Sequence, residues 1–322
     1  MAKSKIRNWA INVDKLKVCY KITDEIYTYF KTHQTYIKIV KGNKGEEKKI
    51  RIFDEVDFYL VFFEEEETKM FAHLNVRDEN GDFLLGTFVF NCGEKYKNLA
   101  FFTFENDALY RVFGKDLDGN PHNYTNCLQY VANYYGMAFN SITILEVAFD
   151  SDFNYVKKTR QLIKDVEQYD VYLNGRKIAD NAEIMQGYGE FYSRTRMKLQ
   201  SPTLYFSQAK SSDLQMRIYD KARELNESTP HKVERYKNWI DWNKTDKIYR
   251  VEIVFHNTNI RDFFERYSHK LHEEMGGYEN VLSSICNPEF LMSIFIDATD
   301  RLIYFKDKKT KKNISIVDLA GI

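Results

Sequence analysis

Short apolar runs of period two, broken by polar turns, fill this chain up to about residue 256; helical spacing takes over after it. Alternation puts successive side chains on opposite faces, so such a run hides one face and wets the other. Many of them joined by tight turns, with helices gathered late, predict an α+β class. We expect a largely antiparallel curved β-sheet with flanking helices and a helical C-terminal part. The clearest run is 248–256, where Tyr249, Val251, Ile253 and Phe255 alternate with Arg250, Glu252 and Val254.

Further strands are predicted at 8–20, 57–63, 99–104, 141–150, 203–206 and 214–220. Hairpins are predicted at 35–52, around Lys41-Gly42-Asn43-Lys44-Gly45, at 70–91, across Glu79-Asn80-Gly81-Asp82, and at 171–178, where Asn174-Gly175 is a strong turn signal. Leu128, Val131, Ala132 and Tyr135 share one helical face and predict a helix over 124–135 ending near Gly136. Other helices are expected at 153–166, after 220 through Glu227, at 260–274 and at 278–297. A basic tail with Lys306, Lys308, Lys309, Lys311 and Lys312 closes the chain. Three consecutive segments follow: a strand-rich half over 1–135, a second half over 136–260, and a helical extension over 261–322.

The 322 residues carry 47 basic and 47 acidic side chains, so charge alone neither selects nor excludes a nucleic acid; its distribution decides. No run of 18 apolar residues is present, and the first dozen residues lack the apolar stretch of a secretory signal. Cys19, Cys92, Cys127 and Cys286 lie far apart, without metal-ligand spacing, which fits free thiols and a cytoplasmic setting. There is no phosphate loop, no dinucleotide fingerprint and no esterase elbow. His269 and His272 are three apart on an expected helix, which suits a solvated face better than half a metal site.

Chemistry concentrates between Ser201 and Lys221. Period two puts Arg217, Tyr219 and Lys221 on one face of the strand at 214–220 and just beyond it. Two cations beside a tyrosine stabilise its phenolate and hold a phosphodiester, which is what a tyrosine attacking phosphorus requires. Glu146 and Asp150, four apart on one strand, and Glu252 on another supply hard oxygen ligands suited to Mg2+ or Mn2+. On spacing alone two plainer readings stay open. Arg, Tyr and Lys at alternate positions also suit a solvated strand face. The carboxylates also suit cross-strand ion pairs with Arg217 and Arg250.

Thr203-Leu-Tyr-Phe-Ser, Ser212, Arg217-Ile-Tyr-Asp-Lys221 and Glu224 together resemble the signature of the Rep_trans family of replication initiation factors. Ile144-Leu-Glu-Val-Ala-Phe-Asp150 resembles that family's acidic strand, and Tyr249-Arg-Val-Glu-Ile253 its R-x-E strand, in the same order. The match covers roughly 140–260. It departs from the family at Ser207-Gln208, where Gly-Ser is usual, at Leu145, where Arg is common, and at Glu146, where Asp is usual.

The resemblance implies a rolling-circle initiator that nicks and rejoins origin DNA, single-stranded or in a cruciform. Tyr219 would become joined to the 5′ phosphate and the freed 3′-hydroxyl would prime a polymerase. Glu146, Asp150 and Glu252 would hold the divalent metal. Arg217 and Lys221 would stabilise phosphate charge. Thr203, Lys210, Ser212 and Arg250 would contact DNA. No nucleotide cofactor is implied, a separate helicase would unwind the duplex, no membrane is involved, and homodimerisation is left open. Basic patches at Arg194-Thr-Arg196-Met-Lys198 and 232–237, with Tyr205, Tyr236, Trp239 and Trp242, are further DNA-contact candidates. The alternatives are a conjugative relaxase of the same chemistry, a non-catalytic origin-binding protein, and a structural, capsid-like protein. Tyr205 and Tyr249 compete with Tyr219 as nucleophile.

Overall fold

Strand pairing between segments remote in sequence governs how the chain divides. The computed structural model describes residues 8–32, 36–41, 47–65, 69–78, 81–91, 94–110, 113–115, 121–122, 124–185, 191–193, 203–207, 214–228, 247–271 and 278–321. It forms two units: Met1–Val13, Glu146–Arg266 and Asn287–Ile322 make the first, and Asp14–Leu145 with Tyr267–Cys286 the second.

In chain order the strands are β1 (Trp9–Lys21), β2 (Tyr36–Lys41), β3 (Glu47–Asp54), β4 (Phe58–Glu65), β5 (Met70–Asp78), β6 (Gly81–Phe90), β7 (Leu99–Phe104), β8 (Phe113–Lys115), β9 (Pro121–His122) and β10 (Ala138–Ser151). They continue with β11 (Tyr169–Leu173), β12 (Arg176–Lys177), β13 (Glu183–Met185), β14 (Phe191–Ser193), β15 (Thr203–Ser207), β16 (Leu214–Asp220), β17 (Tyr249–His256), β18 (Ile303–Asp307) and β19 (Asn313–Ser315). The helices are α1 (Asp24–Thr32), α2 (Asn106–Leu109), α3 (Tyr124–Tyr134), α4 (Tyr155–Lys164), α5 (Lys221–Ser228), α6 (Asn257–Leu271), α7 (Val281–Ser284) and α8 (Pro288–Leu302). The expected α+β class with a largely antiparallel sheet is what forms. None of the described helices is long and apolar enough to cross a membrane.

The second unit is a meander in which β7, β6, β5, β4, β3 and β2 pair antiparallel in that order, beginning from β1. Alternation buries Phe58, Leu60 and Phe62 on β4, Met70, Ala72 and Leu74 on β5, Phe88 and Phe90 on β6, and Phe102 and Phe104 on β7. Phe30 of α1 meets this face, its ring 5.2 Å from Phe90 and 4.8 Å from Tyr135. At Gly86 the β5–β6 register shifts between Leu74 and Asn75, and a Cβ there would strike the Thr103 carbonyl oxygen and the Phe102 ring. After α3 the chain turns at Gly136, φ +70°, and Met137 N–H reaches back to the Ala132 carbonyl at 2.8 Å. That closes the helix in the way its sequence predicts.

In the first unit, β15, β16, β17 and β10 are neighbours in that order, with β15–β16 and β16–β17 antiparallel. Leu204, Leu214, Met216, Ile218, Val251 and Ile253 bury one face of these strands. Helices α4 and α8 pack on β16 and β17. Phe149 of β10 stacks on Phe295 of α8, with centroids 5.4 Å apart. Asn154 caps α4 by accepting from Lys157 N–H at 2.8 Å, and Asn287 caps α8, followed by Pro288. The Asn174-Gly175 turn forms as expected, both residues at positive φ, joining β11 to β12.

The three-segment expectation and the basic tail both need correction. Strand β18 pairs with β11 and β19 with β18, so 287–322 joins the unit that holds β16 and β17 instead of extending from it. The lysines sit in and around the β18–β19 hairpin. Asp307 accepts the N–H groups of Lys309 and Thr310 at 2.9 and 2.7 Å, and Lys308 Nζ donates to the Val166 carbonyl at 2.6 Å.

Candidate active site

The face of β15, β16, β17 and β10 opposite their apolar side carries the residues singled out above. Register sets their spacing. Thr203 lies opposite Tyr219, Tyr205 opposite Arg217, Arg217 opposite Glu252, and Tyr219 opposite Arg250. Period two then puts Thr203, Tyr205, Arg217, Tyr219, Arg250 and Glu252 on one side of the sheet. Glu146 and Asp150 of β10 reach the same side, because Arg217 and Arg250 contact them.

Two polar clusters result. In the first, the Tyr219 hydroxyl donates to Glu252 Oε2 at 2.9 Å. Arg217 Nη2 holds the other oxygen, Glu252 Oε1, and lies 4.0 Å from Glu146 Oε2. Glu252 is 1% exposed, whereas Arg217 is 42% exposed, so the guanidinium forms the open side of a buried carboxylate. Burial disfavours the charge on Arg217, but Glu252, Tyr219 and Glu146 outweigh it and raise the pKa above the ordinary arginine value. Arg217 is a permanent cation.

The second cluster is a buried ion pair. Arg250 Nε and Nη2 donate to Asp150 Oδ1 and Oδ2 at 2.7 and 2.6 Å. Arg250 is 0% exposed, and its Nη1 lies 4.0 Å from Glu252 Oε2. Of the two roles open to it, DNA contact and pairing with an acid, it takes the second, joining β17 to β10 beneath the site. Lys221 also departs from expectation. Strand β16 ends at Asp220, so Lys221 opens α5, where its N–H donates to the Ile248 carbonyl at 2.8 Å. Its Nζ pairs with Glu224 Oε2 at 2.6 Å and stands 5.8 Å from the centre of the Tyr219 ring. The lysine thus flanks the tyrosine while its charge is matched by Glu224.

Thr203 and Tyr205 are half-buried on the same face. Tyr249, one residue from Arg250, projects to the other side by alternation. Lys210, Ser212, Arg194, Arg196, Lys198, Tyr236, Trp239, Trp242 and the 232–237 stretch lie outside the described residues, as does His272.

Glu146, Asp150 and Glu252 do not fit Mg2+ or Mn2+ in this arrangement. A hard divalent ion needs several carboxylate oxygens turned toward one point. Asp150 gives both of its oxygens to Arg250; Glu252 gives one to Arg217 and accepts Tyr219 on the other. Among the described residues no three of His, Cys, Asp and Glu come together as a ligand set.

The Tyr219–Glu252 contact is a feature of the site that sequence reading does not reach. Both residues had been singled out, but for separate tasks. They are diagonal neighbours across β16 and β17, within reach of long side chains. Only the register reveals it.

No family model matches the chain, and no curated protein matches it. Among solved structures, the rolling circle replication initiator protein from Geobacillus stearothermophilus aligns over 94% of this chain and 89% of its own, at 14% identity and a TM-score of 0.40.

Proposed function

We propose that this chain initiates rolling-circle replication by nicking and rejoining origin DNA, with Tyr219 as nucleophile and Glu252 as its base. The observation that carries the reading is the Tyr219 hydroxyl donating at 2.9 Å to a carboxylate that is 1% exposed, with Arg217 on the open side. A nucleophile within hydrogen-bond reach of a base, itself oriented by a third group, is the recurring design of activated nucleophiles. The ordered motifs around Glu146, Asp150, Tyr219 and Glu252 lend further support.

The steps balance. The Tyr219 Oη–phosphorus bond forms as the phosphorus–O3′ bond breaks, and the phenol proton passes to Glu252. The leaving 3′ oxygen takes a proton from water and departs as a 3′-hydroxyl. Arg217 offsets charge on the non-bridging oxygens. In the reverse sense a 3′-hydroxyl gives its proton to water as its oxygen bonds to phosphorus, the phosphorus–Tyr219 Oη bond breaks, and Tyr219 recovers its proton from Glu252. The phosphodiester's energy stays in the tyrosine link, so no nucleotide is consumed. Arg250 and Asp150 act as positioning residues below. A polymerase would extend the 3′ end and a separate helicase would open the duplex.

The test is covalent capture. Labelled single-stranded origin DNA is incubated with wild type and with Tyr219→Phe, in Mg2+, in Mn2+ and in EDTA. A protein–DNA band in wild type that vanishes in the variant supports the reading. A band that survives in Tyr219→Phe transfers the role to another tyrosine, Tyr205 first. Duplex binding with no band in any buffer favours a non-catalytic origin-binding protein. A band restricted to Mg2+ or Mn2+ would mean that the carboxylates rearrange from their arginine partners to take the ion.

A further inference from the structure

A second polar feature lies in the other unit and takes no part in the chemistry above. Helices α1 and α3 border an open cavity of about 450 Å3 lined by Glu25, Ile26, Tyr29, Tyr134 and Tyr135. Tyr134 is 52% exposed, as is its neighbour one turn back, Tyr130, at 54%. Large aromatic rings left in water four residues apart on one helix form an unpartnered stripe. They are also held still. Tyr130 and Tyr134 pack edge-on against Phe58, with centroids 5.9 and 5.5 Å away respectively. The Tyr134 hydroxyl donates to Glu55 Oε1 at 2.9 Å.

Two facts say what the cavity lacks. Among the described residues lining it none is basic, while Glu25 lines it and Glu55 stands at its edge through Tyr134. Tyr135 lines it at 8% exposure, and its buried hydroxyl has no hydrogen-bond partner among the described residues. Ring faces, two carboxylates and an unused phenol oxygen are together complementary to a planar cation that donates hydrogen bonds.

We propose that this cavity receives the guanidinium of an arginine presented by a basic segment of a partner protein. The cation would lie against the Tyr134 and Tyr29 rings, donate to the Tyr135 hydroxyl and face Glu25 and Glu55. Both phenols stay neutral under these conditions. The bond to Glu55 raises the Tyr134 pKa, and burial raises that of Tyr135. A nucleic acid suits the cavity less well: bases stack on tyrosine, but their phosphates need cations close by, and here carboxylates stand instead.

The test titrates the full chain with a capped Arg-Gly-Arg peptide, followed by calorimetry, and repeats it with citrulline in place of each arginine. Citrulline keeps the shape and removes the charge. Saturable binding of the arginine peptide, roughly three- to fivefold weaker in Tyr134→Ala and weaker in Glu55→Gln, is expected. Tyr219→Phe should leave it unchanged, which separates this proposal from the nicking reading. Absence of saturable binding, equal binding of the citrulline peptide, or affinity unmoved in both cavity variants would overturn it. So would a decathymidylate strand that binds there and is lost in Tyr134→Ala. Tyr134→Phe keeps the ring and removes only the Glu55 bond, so a retained majority of affinity in that variant supports the ring-face contact.

Discussion

Arg250 meets Asp150 through two parallel hydrogen bonds, Nε to Oδ1 at 2.7 Å and Nη2 to Oδ2 at 2.6 Å, with neither side chain more than 1% exposed. A buried pair of this kind contributes little beyond a well-packed apolar replacement, but breaking it leaves a charge without solvent or partner. Arg250→Met alone should therefore cost about 3–5 kcal/mol, and Asp150→Leu alone a similar amount. The double variant should cost much less than the sum. Urea unfolding of the four proteins in a double-mutant cycle measures the coupling.

At the nucleophile, Tyr219→Phe should abolish the covalent DNA adduct and destabilise the fold by about 1–3 kcal/mol, the cost of leaving the buried Glu252 Oε2 without its hydroxyl donor. Glu252→Gln removes the base but keeps a group of the same size for Arg217 and Tyr219. The nicking rate should fall by about 100- to 10,000-fold, the usual weight of general acid–base catalysis. Single-turnover kinetics on a labelled strand reads this directly. A rate in Glu252→Gln within about twofold of wild type would remove Glu252 from the proton path.

How far all this could be read beforehand depends on what kind of interaction decides each feature. The strands were legible because burial acts on period two: Met216 and Ile218 go inward and Arg217 and Tyr219 go outward whatever the partner strand is. The hairpin at Asn174-Gly175 was legible because its backbone conformation belongs to those two residues. The pairing of Tyr219 with Glu252 was not, since it depends on how β16 and β17 are registered, and neither strand encodes that alone. Lys221 was misjudged because Asp220 ends the strand one residue earlier, and α5 begins on the lysine itself. Strand β18 was hidden by its neighbours. Only two apolar residues, Ile303 and Phe305, alternate inward, and the lysines that follow read as a solvated tail until the Asp307 carboxylate is seen accepting the N–H groups of Lys309 and Thr310.

Gly86 offers a test of packing in the second unit. Its place on β6 lies against the Thr103 carbonyl and the Phe102 ring, with no room for a methyl group. Since backbone forms part of the obstacle, the strands must move apart to admit one. Gly86→Ala should destabilise by about 1–3 kcal/mol, as overpacking does. Gly81, at φ +112° with nothing within 4 Å of its Cβ position, is the useful contrast. Gly81→Ala should also destabilise, but through backbone strain, so Gly81→Asn should recover part of the loss where Gly86→Asn should not.

His73 ties stability to pH. Its ring stacks on Phe63 at 4.3 Å and its Nδ1 lies 3.0 Å from Thr87 Oγ1. Burial lowers its pKa below the ordinary histidine value, against a weaker opposing pull from Glu105. The unfolded chain titrates this ring near pH ~6.5. Below that pH the unfolded state binds the proton more readily than the folded state, so stability falls as pH drops from ~6.5 toward the folded value, and is retained above it. His73→Gln lacks the titration. Its loss of unfolding free energy between pH ~7 and ~5 should be smaller than that of wild type, whatever its stability at neutral pH. The same measurement should agree with an NMR titration of the His73 ring, whose midpoint is expected below ~6.5. A midpoint at or above that value, with equal pH slopes in the two proteins, would mean the ring is solvated well enough to carry its charge in the fold.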